Sequence, residues 1–195
     1  MTESVLSETR VEAHEQPDPR SDPQLIAAIN DGDAAAFEVL YYRHRDWVVN
    51  LAHRFTGNED LALDVLQETF LYFLRKFPGF KLTANLKTFF YPAIKNLSIA
   101  ARRKAGRYQS TETEQQQLEQ TPAATPADHP GDLAAALANL SADHREVLLL
   151  RYVDGLQLAE IAEATGVPLG TVKSRLHHAL ESLRQDKHAK QFFEP

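Results

Sequence analysis

The stretch from Ser141 to Leu183, SADHREVLLLRYVDGLQLAEIAEATGVPLGTVKSRLHHALESL, decides the fold. Leu158, Ile161 and Ala162 fall on one face of a short helix. Gly166 can supply the positive φ that ends that helix, and Pro168 suits the first turn of the next. From Leu169 to Leu183, Val172, Leu176, Ala179, Leu180 and Leu183 form a stripe that must be buried. Thr171, Ser174, Arg175 and His178 lie opposite, flanked by Lys173 and His177. Short hydroxyls and cations on an outer face suit phosphates and base edges. The pattern predicts a helix-turn-helix with Leu169 to Leu183 as its recognition helix. Its candidate DNA contacts are Leu169, Gly170, Thr171, Lys173, Ser174, Arg175 and His178. A plain helical hairpin with a solvated polar face shares this periodicity, so the pattern alone does not separate the two.

Upstream of that motif, Asp132 is placed to cap a helix with Leu133, Ala136, Leu137 and Leu140 turned inward. Asp143 and Glu146 resemble a capping-box pair opening the next helix, and Gly155 is placed to end it. The N-terminal half also reads as helical. Leu25, Ile26 and Ile29 make one apolar face, and Gly32 breaks it. Asp33 caps a long helix carrying Phe37, Leu40, Tyr41, Trp47, Val48, Leu51, Ala52 and Phe55, which stops at Gly57-Asn58. From Glu59 to Phe77 the residues Leu63, Leu66, Phe70, Phe73 and Phe77 form an aromatic-rich core face. Pro78-Gly79 follows, then a loop from Phe80 to Leu86. His44 and His53 are not at metal-ligand spacing and are expected at the surface or at an interface.

The chain has 195 residues and no cysteine, so disulfides, thiolate zinc sites and cysteine nucleophiles are excluded. No apolar run approaches the roughly 20 residues of a membrane-spanning helix. The N-terminus lacks the apolar core of a signal peptide, and a cytoplasmic location is expected. No Gly-rich phosphate loop, nucleophile elbow or His-carboxylate cluster is visible, which speaks against an enzyme. Neither a cofactor nor a metal is expected.

A net charge of −6 runs against DNA binding, but its distribution resolves the conflict. Residues 1–23 and 108–132 carry net charges of −4 and −5, which leaves the remainder at +3. Lys81 to Arg107 contains seven Lys or Arg and no acid. The basic charge sits where nucleic acid could be met.

The run REVLLLRYVDGL…AEIAEATGVPLGTVKSRLHHALESLR strongly resembles the promoter-binding domain of the extracytoplasmic-function sigma factors, of the sigma-70 family. DLALDVLQETFLYFLRKF resembles the helix by which such factors grip the clamp helices of RNA polymerase. LKTFFYPAIKNLSIAARRKAGR is similar to the segment that recognises and opens the −10 element. The resemblance implies an all-α chain of two small helical domains. Residues 24–104 would form region 2 and 132–187 region 4, joined by a flexible acidic linker over 105–131 and preceded by a disordered acidic tail over 1–22. Asp64, Gln67, Glu68 and Leu71 then become polymerase contacts. Lys81, Asn85, Lys87, Thr88, Phe89, Lys95, Asn96, Arg102 and Arg103 become contacts to the −10 element, and the recognition helix reads the −35 element.

The chemistry fits the resemblance. Trapping unstacked bases calls for rings and cations, and stacking contributes roughly 1–3 kcal/mol per base. Of Phe89, Phe90 and Tyr91, two are expected in the core. Two departures from the family are visible. Phe89 stands where many members carry Trp, and Pro92 falls inside a usually continuous helix, where it should produce a kink. Within the linker, Glu112, Glu114 and Glu119 could mimic phosphates. The implied partners are core polymerase (clamp helices and flap), promoter DNA and an anti-sigma factor, with no membrane insertion. Two other readings stay open. One is a helix-turn-helix transcriptional activator, and the other a sigma mimic that sequesters an anti-sigma factor without touching DNA.

Overall fold

The computed structural model describes residues 18–109, 132–187 and 189. These fold into helices α1 (Asp22–Asn30), α2 (Ala34–Thr56), α3 (Glu59–Leu74), α4 (Leu86–Gln109), α5 (Asp132–Ala138), α6 (Ala142–Tyr152), α7 (Leu158–Thr165) and α8 (Leu169–Gln185). There is no strand among the described residues, so the expected all-α class holds.

Local chemistry sets most boundaries. Asp33 accepts from the amides of Ala35 and Ala36 at 2.9 and 3.1 Å and starts α2. Gly57, at φ 66°, ends α2 by donating to His53 O, because a left-handed residue there costs glycine little. Asn58 accepts from Leu61 N at 2.9 Å and starts α3. Ser141 caps α6, so the expected Asp143–Glu146 capping pair does not form. Asp143 instead meets Arg175, and Glu146 turns toward α4.

Helices α1 to α4 close around an aromatic core. Phe73 is fully buried and meets Phe77, Phe80 and Phe90 edge-on, with centroids 5.0–5.3 Å apart. Phe70 adds Tyr41 at 4.8 Å and Phe90 at 5.4 Å. Asn30 staples the loop after α3 to the end of α1, accepting from Gly79 N at 2.6 Å and donating to Phe80 O at 2.9 Å.

Several expectations need correction. Leu63 is 44% exposed, because the buried face of α3 runs through Ala62, Val65, Leu66, Thr69, Phe70 and Phe73. Ala62 and Thr69 are too small or too polar to signal burial, yet Thr69 satisfies its hydroxyl on Val65 O at 2.7 Å. Leu133 is likewise exposed, at 44%. Asp18 and Asp22, expected in a disordered tail, are tied down. Asp18 binds Arg20, while Asp22 opens α1 and bonds His44 at 2.8 Å and Arg43 at 2.8 Å. His44 is therefore buried and hydrogen-bonded. As expected, Pro92 falls inside a helix, α4. Residues 1–17 and 110–131, and with them Glu112, Glu114 and Glu119, lie outside the described residues.

The helices α5 to α8 form the second unit. Ala136, Leu140, Leu148, Ala179 and Leu183 make its own core. Val147, Leu150, Leu156, Ile161, Ala164 and Val172 join the apolar cluster of the first unit instead. The two units thus meet along a seam between α4 and α7.

Candidate nucleic-acid and polymerase interfaces

Helices α7 and α8 form the expected helix-turn-helix, with Gly166 at φ 71° making the turn. Val172, Ala179 and Leu183 bury one face of α8. This leaves Lys173, Ser174, His177 and His178 exposed, Thr171 and Arg175 half-buried, and Leu169 40% exposed beside Gly170. Arg175 forms an ion pair with Asp143 of α6. His178 stacks on His144, with centroids 6.1 Å apart. The outer face therefore has the hydroxyl and cation character of a groove-reading helix.

On α4, Lys81 and Asn85 precede or open the helix and are exposed, as are Asn96 and Arg103, with Lys87, Phe89, Lys95 and Arg102 half-buried. Asn85 Oδ1 accepts from Lys87 N at 2.9 Å, so one of its polar atoms caps the helix. Phe89 stacks on the 37% exposed Tyr72, with planes 16° apart and centroids at 5.8 Å. Phe90 and Tyr91 are core residues, at 0% and 1% exposure. Thr88, expected to read base edges, is only 3% exposed, and its hydroxyl has no hydrogen-bond partner. Burial thus keeps Thr88 off the exposed surface of α4 in this structure.

The outer strip of α3 carries Asp64, Gln67, Glu68 and Leu71, all exposed. Leu63, expected in the core, and Leu74 add exposed apolar surface to it. Acids beside uncovered leucines on one helix are complementary in chemistry to a surface with basic and apolar groups.

The seam brings in Asp154 and Arg54, which no sequence pattern marked. The Asp154 carboxylate is 2% exposed. It accepts from Arg54 Nη2 at 2.7 Å on both oxygens and from Trp47 Nε1 at 2.8 Å. Lys87 Nζ donates to Asp154 O at 2.9 Å and lies 5.4 Å from the Trp47 ring centroid. Glu146 accepts from the Tyr91 hydroxyl and from Lys95 Nζ, the latter at 2.5 Å. Burial first, and the Glu146 charge second, push the Tyr91 phenol far above its usual range, so it remains a proton donor. In the sequence, Asp154 signals only a turn before Gly155.

Among the described residues, no group of three or more His, Cys, Asp or Glu could hold a metal ion. No described helix is long and apolar enough to cross a membrane.

The chain matches the family models for sigma-70 region 2 over residues 40–108 and sigma-70 region 4 over residues 131–183. It is 35% identical over 158 residues to ECF RNA polymerase sigma factor SigL of Mycobacterium tuberculosis, covering 78% of this chain and 89% of that one. It is 31% identical over 179 residues to ECF RNA polymerase sigma factor SigE of Mycolicibacterium smegmatis, covering 86% of this chain and 69% of the relative. Among solved structures, it is similar to the sigma factor RpoE from Bartonella quintana, crystallised with the anti-sigma factor NepR. That match has a TM-score of 0.55 and 26% identity, and covers 76% of this chain and 94% of the other. Both regions occur in order on one helical chain, so this protein belongs to the sigma-70 family as an ECF RNA polymerase sigma factor.

Proposed function

We propose that this sigma factor recruits core RNA polymerase through the outer strip of α3 and places it on promoters through α8 and α4. Asp64, Gln67, Glu68 and Leu71 engage the polymerase clamp. Leu169, Gly170, Thr171, Lys173, Ser174, Arg175 and His178 enter the major groove of the −35 element, with Lys173 and Arg175 meeting phosphates or guanines. Lys81, Asn85, Lys87, Phe89, Lys95, Asn96, Arg102 and Arg103 hold the melted −10 strand, with Phe89 as the ring nearest solvent. The chain catalyses no reaction of its own; nucleotide addition belongs to the polymerase. It works in the cytoplasm, where polymerase and promoters are, and an anti-sigma factor restrains it.

The observation that carries this reading is the face of α8. Lys173, Ser174 and His178 stand outward, while Val172, Ala179 and Leu183 fix the helix to its unit. An intact basic face distinguishes a DNA-binding factor from a mimic that only captures an anti-sigma factor. Run-off transcription with purified core polymerase on genomic fragments tests it. Discrete new start points are expected when this chain is added, and unchanged initiation would refute the reading.

A further inference from the structure

Three imidazoles gather on the outer edge of the second unit, of which only His178 stands among the −35 contacts named above. His178 of α8 stacks on His144 of α6, with centroids 6.1 Å apart and planes at 28°. His177 lies across His178 at 5.5 Å. Glu181 Oε2 is 3.8 Å from His178 Nδ1 and 3.8 Å from His177 Nε2. Nδ1 of His178 thus faces an anion of its own helix, which leaves Nε2 to meet an oxygen from outside. Both α8 rings are exposed, and His144 is half-buried. On α8, Lys173 lies one turn before His177 and Arg184 two turns after it, while Arg175 is paired with Asp143 of α6. The other charged groups of α6 turn away. Arg145 donates to the carbonyls of Leu137, Ala138 and Leu140, Glu146 meets Tyr91 and Lys95, and Arg151 donates to Leu156 O. Helix α5 carries only Asp132, and α7 only Glu163 and Glu160, the latter bound to Gln157 N. Among the described residues, neither helix forms an ion pair with the rings.

We propose that His178, positioned by His144, is a proton-gated contact to the −35 duplex. The His178 ring takes up a proton as it meets a DNA phosphate, so binding tightens as pH falls. This rests on the assignment of α8 to the −35 groove. Histidine is the side chain whose charge changes near neutrality. A phosphate beside the ring favours its charged form, so protonation and binding reinforce each other. The sign follows from that preference: protons are taken up on binding, and affinity is lost as pH rises. Lys and Arg stay charged across the same range, so the other cations of α8 add affinity without pH dependence. The stack on His144 restrains a ring that would otherwise move among rotamers on an exposed helix face. The pair carries one added charge, because a second imidazolium 6.1 Å away would repel the first.

The test is duplex binding by the full-length chain, read by fluorescence anisotropy at low and constant salt. The probe is a fluorescein-labelled duplex of mixed sequence, about 30 base pairs long, since phosphate contacts carry no sequence information. Uptake of one proton allows at most about a tenfold change in Kd per pH unit. About fivefold tightening is expected from about pH 8 to about pH 6, the range that brackets imidazole titration. His178→Gln should remove the dependence and bind at both pH values as the parent does at the higher one. His178→Arg carries a permanent charge, so it should bind at both as the parent does at the lower one. His144→Phe keeps a stacking ring and should keep the profile, whereas His144→Ala should lose most of the tightening. Circular dichroism should show the same helix content at both pH values.

Duplex binding with a flat pH profile in the parent chain would overturn the proposal and leave the −35 assignment standing. Tightening that persists in His178→Gln would overturn it by placing the proton on another group. An unchanged profile in His144→Ala would overturn the positioning role of His144. Helix content that differs between the two pH values would assign the tightening to folding and overturn the contact. No duplex binding at any pH would overturn the −35 assignment, and the proton-gated contact with it.

Discussion

Replacing Phe73 by alanine should disable polymerase binding from the far side of the helix that performs it. Phe73 is fully buried on the inner face of α3, while Asp64, Glu68 and Leu71 occupy the outer face. Its ring meets those of Phe77, Phe80, Phe89 and Phe90 at centroid distances of 5.0 to 6.1 Å. Truncating such a ring costs about 3–5 kcal/mol, through lost transfer free energy and the cavity left behind. The lost ring-to-ring contacts are included in that figure. Small domains have total stabilities of only about 5–15 kcal/mol, so the first unit should become marginal. With a urea dependence of about 2 kcal/mol per molar, the unfolding midpoint should fall by about 1.5–2.5 M.

The assay is built into the chain. Trp47 is the sole tryptophan; it lies on α2 and donates to Asp154, so its fluorescence during a urea titration follows the first unit together with the seam, while circular dichroism at 222 nm follows the helices. Leu71→Ala is the matched control. Leu71 is 46% exposed, and its truncation should change stability by no more than about 0.5 kcal/mol while weakening polymerase binding. A midpoint shift below about 0.3 M for Phe73→Ala would mean that the ring cluster does not hold the unit together. Weakened polymerase binding without any stability loss would place Phe73 at the contact itself, against its burial.

Asp64→Ala with Glu68→Ala should weaken binding to core polymerase and leave the urea midpoint nearly unchanged; undiminished affinity counts against the clamp assignment. Lys173→Ala with Arg175→Ala should weaken duplex binding and flatten its dependence on log salt by about 0.9 per phosphate contact removed. An unaltered slope would remove both residues from the backbone. Asp22 is held below the ordinary carboxylate range, first by its hydrogen bond to His44 and also by that to Arg43. A depressed carboxyl stabilises the fold above its unfolded value, and that stability is lost as pH falls through the folded value. Asp22→Asn should therefore be less stable than the parent near neutrality, with the gap closing in acid; a gap that widened in acid would reverse the sign.

Much of this protein is written locally. Asp33, Asn58, Gly57 and Gly166 act on amides and carbonyls within four residues of themselves, so their caps and turns are legible without knowledge of distant chain. The stripe through Val172, Ala179 and Leu183 likewise needs only helical periodicity, and with it the outward side of α8 is set. The outer acids of α3 followed for the same reason.

Tertiary structure decided which residues on a half-apolar helix are truly covered. Leu63 is exposed and Ala62 hidden, because the width of the buried stripe depends on what packs against it. Thr88 reads as a polar contact, yet it is buried. The seam is the extreme case. Asp154 has no local signature and Glu146 reads locally as half of a cap, since Trp47, Arg54, Tyr91 and Lys95 reach them only after the chain has doubled back. Short-range backbone chemistry fixes helices from sequence, whereas burial and pairing of charges depend on distant chain brought close, which only the folded molecule specifies.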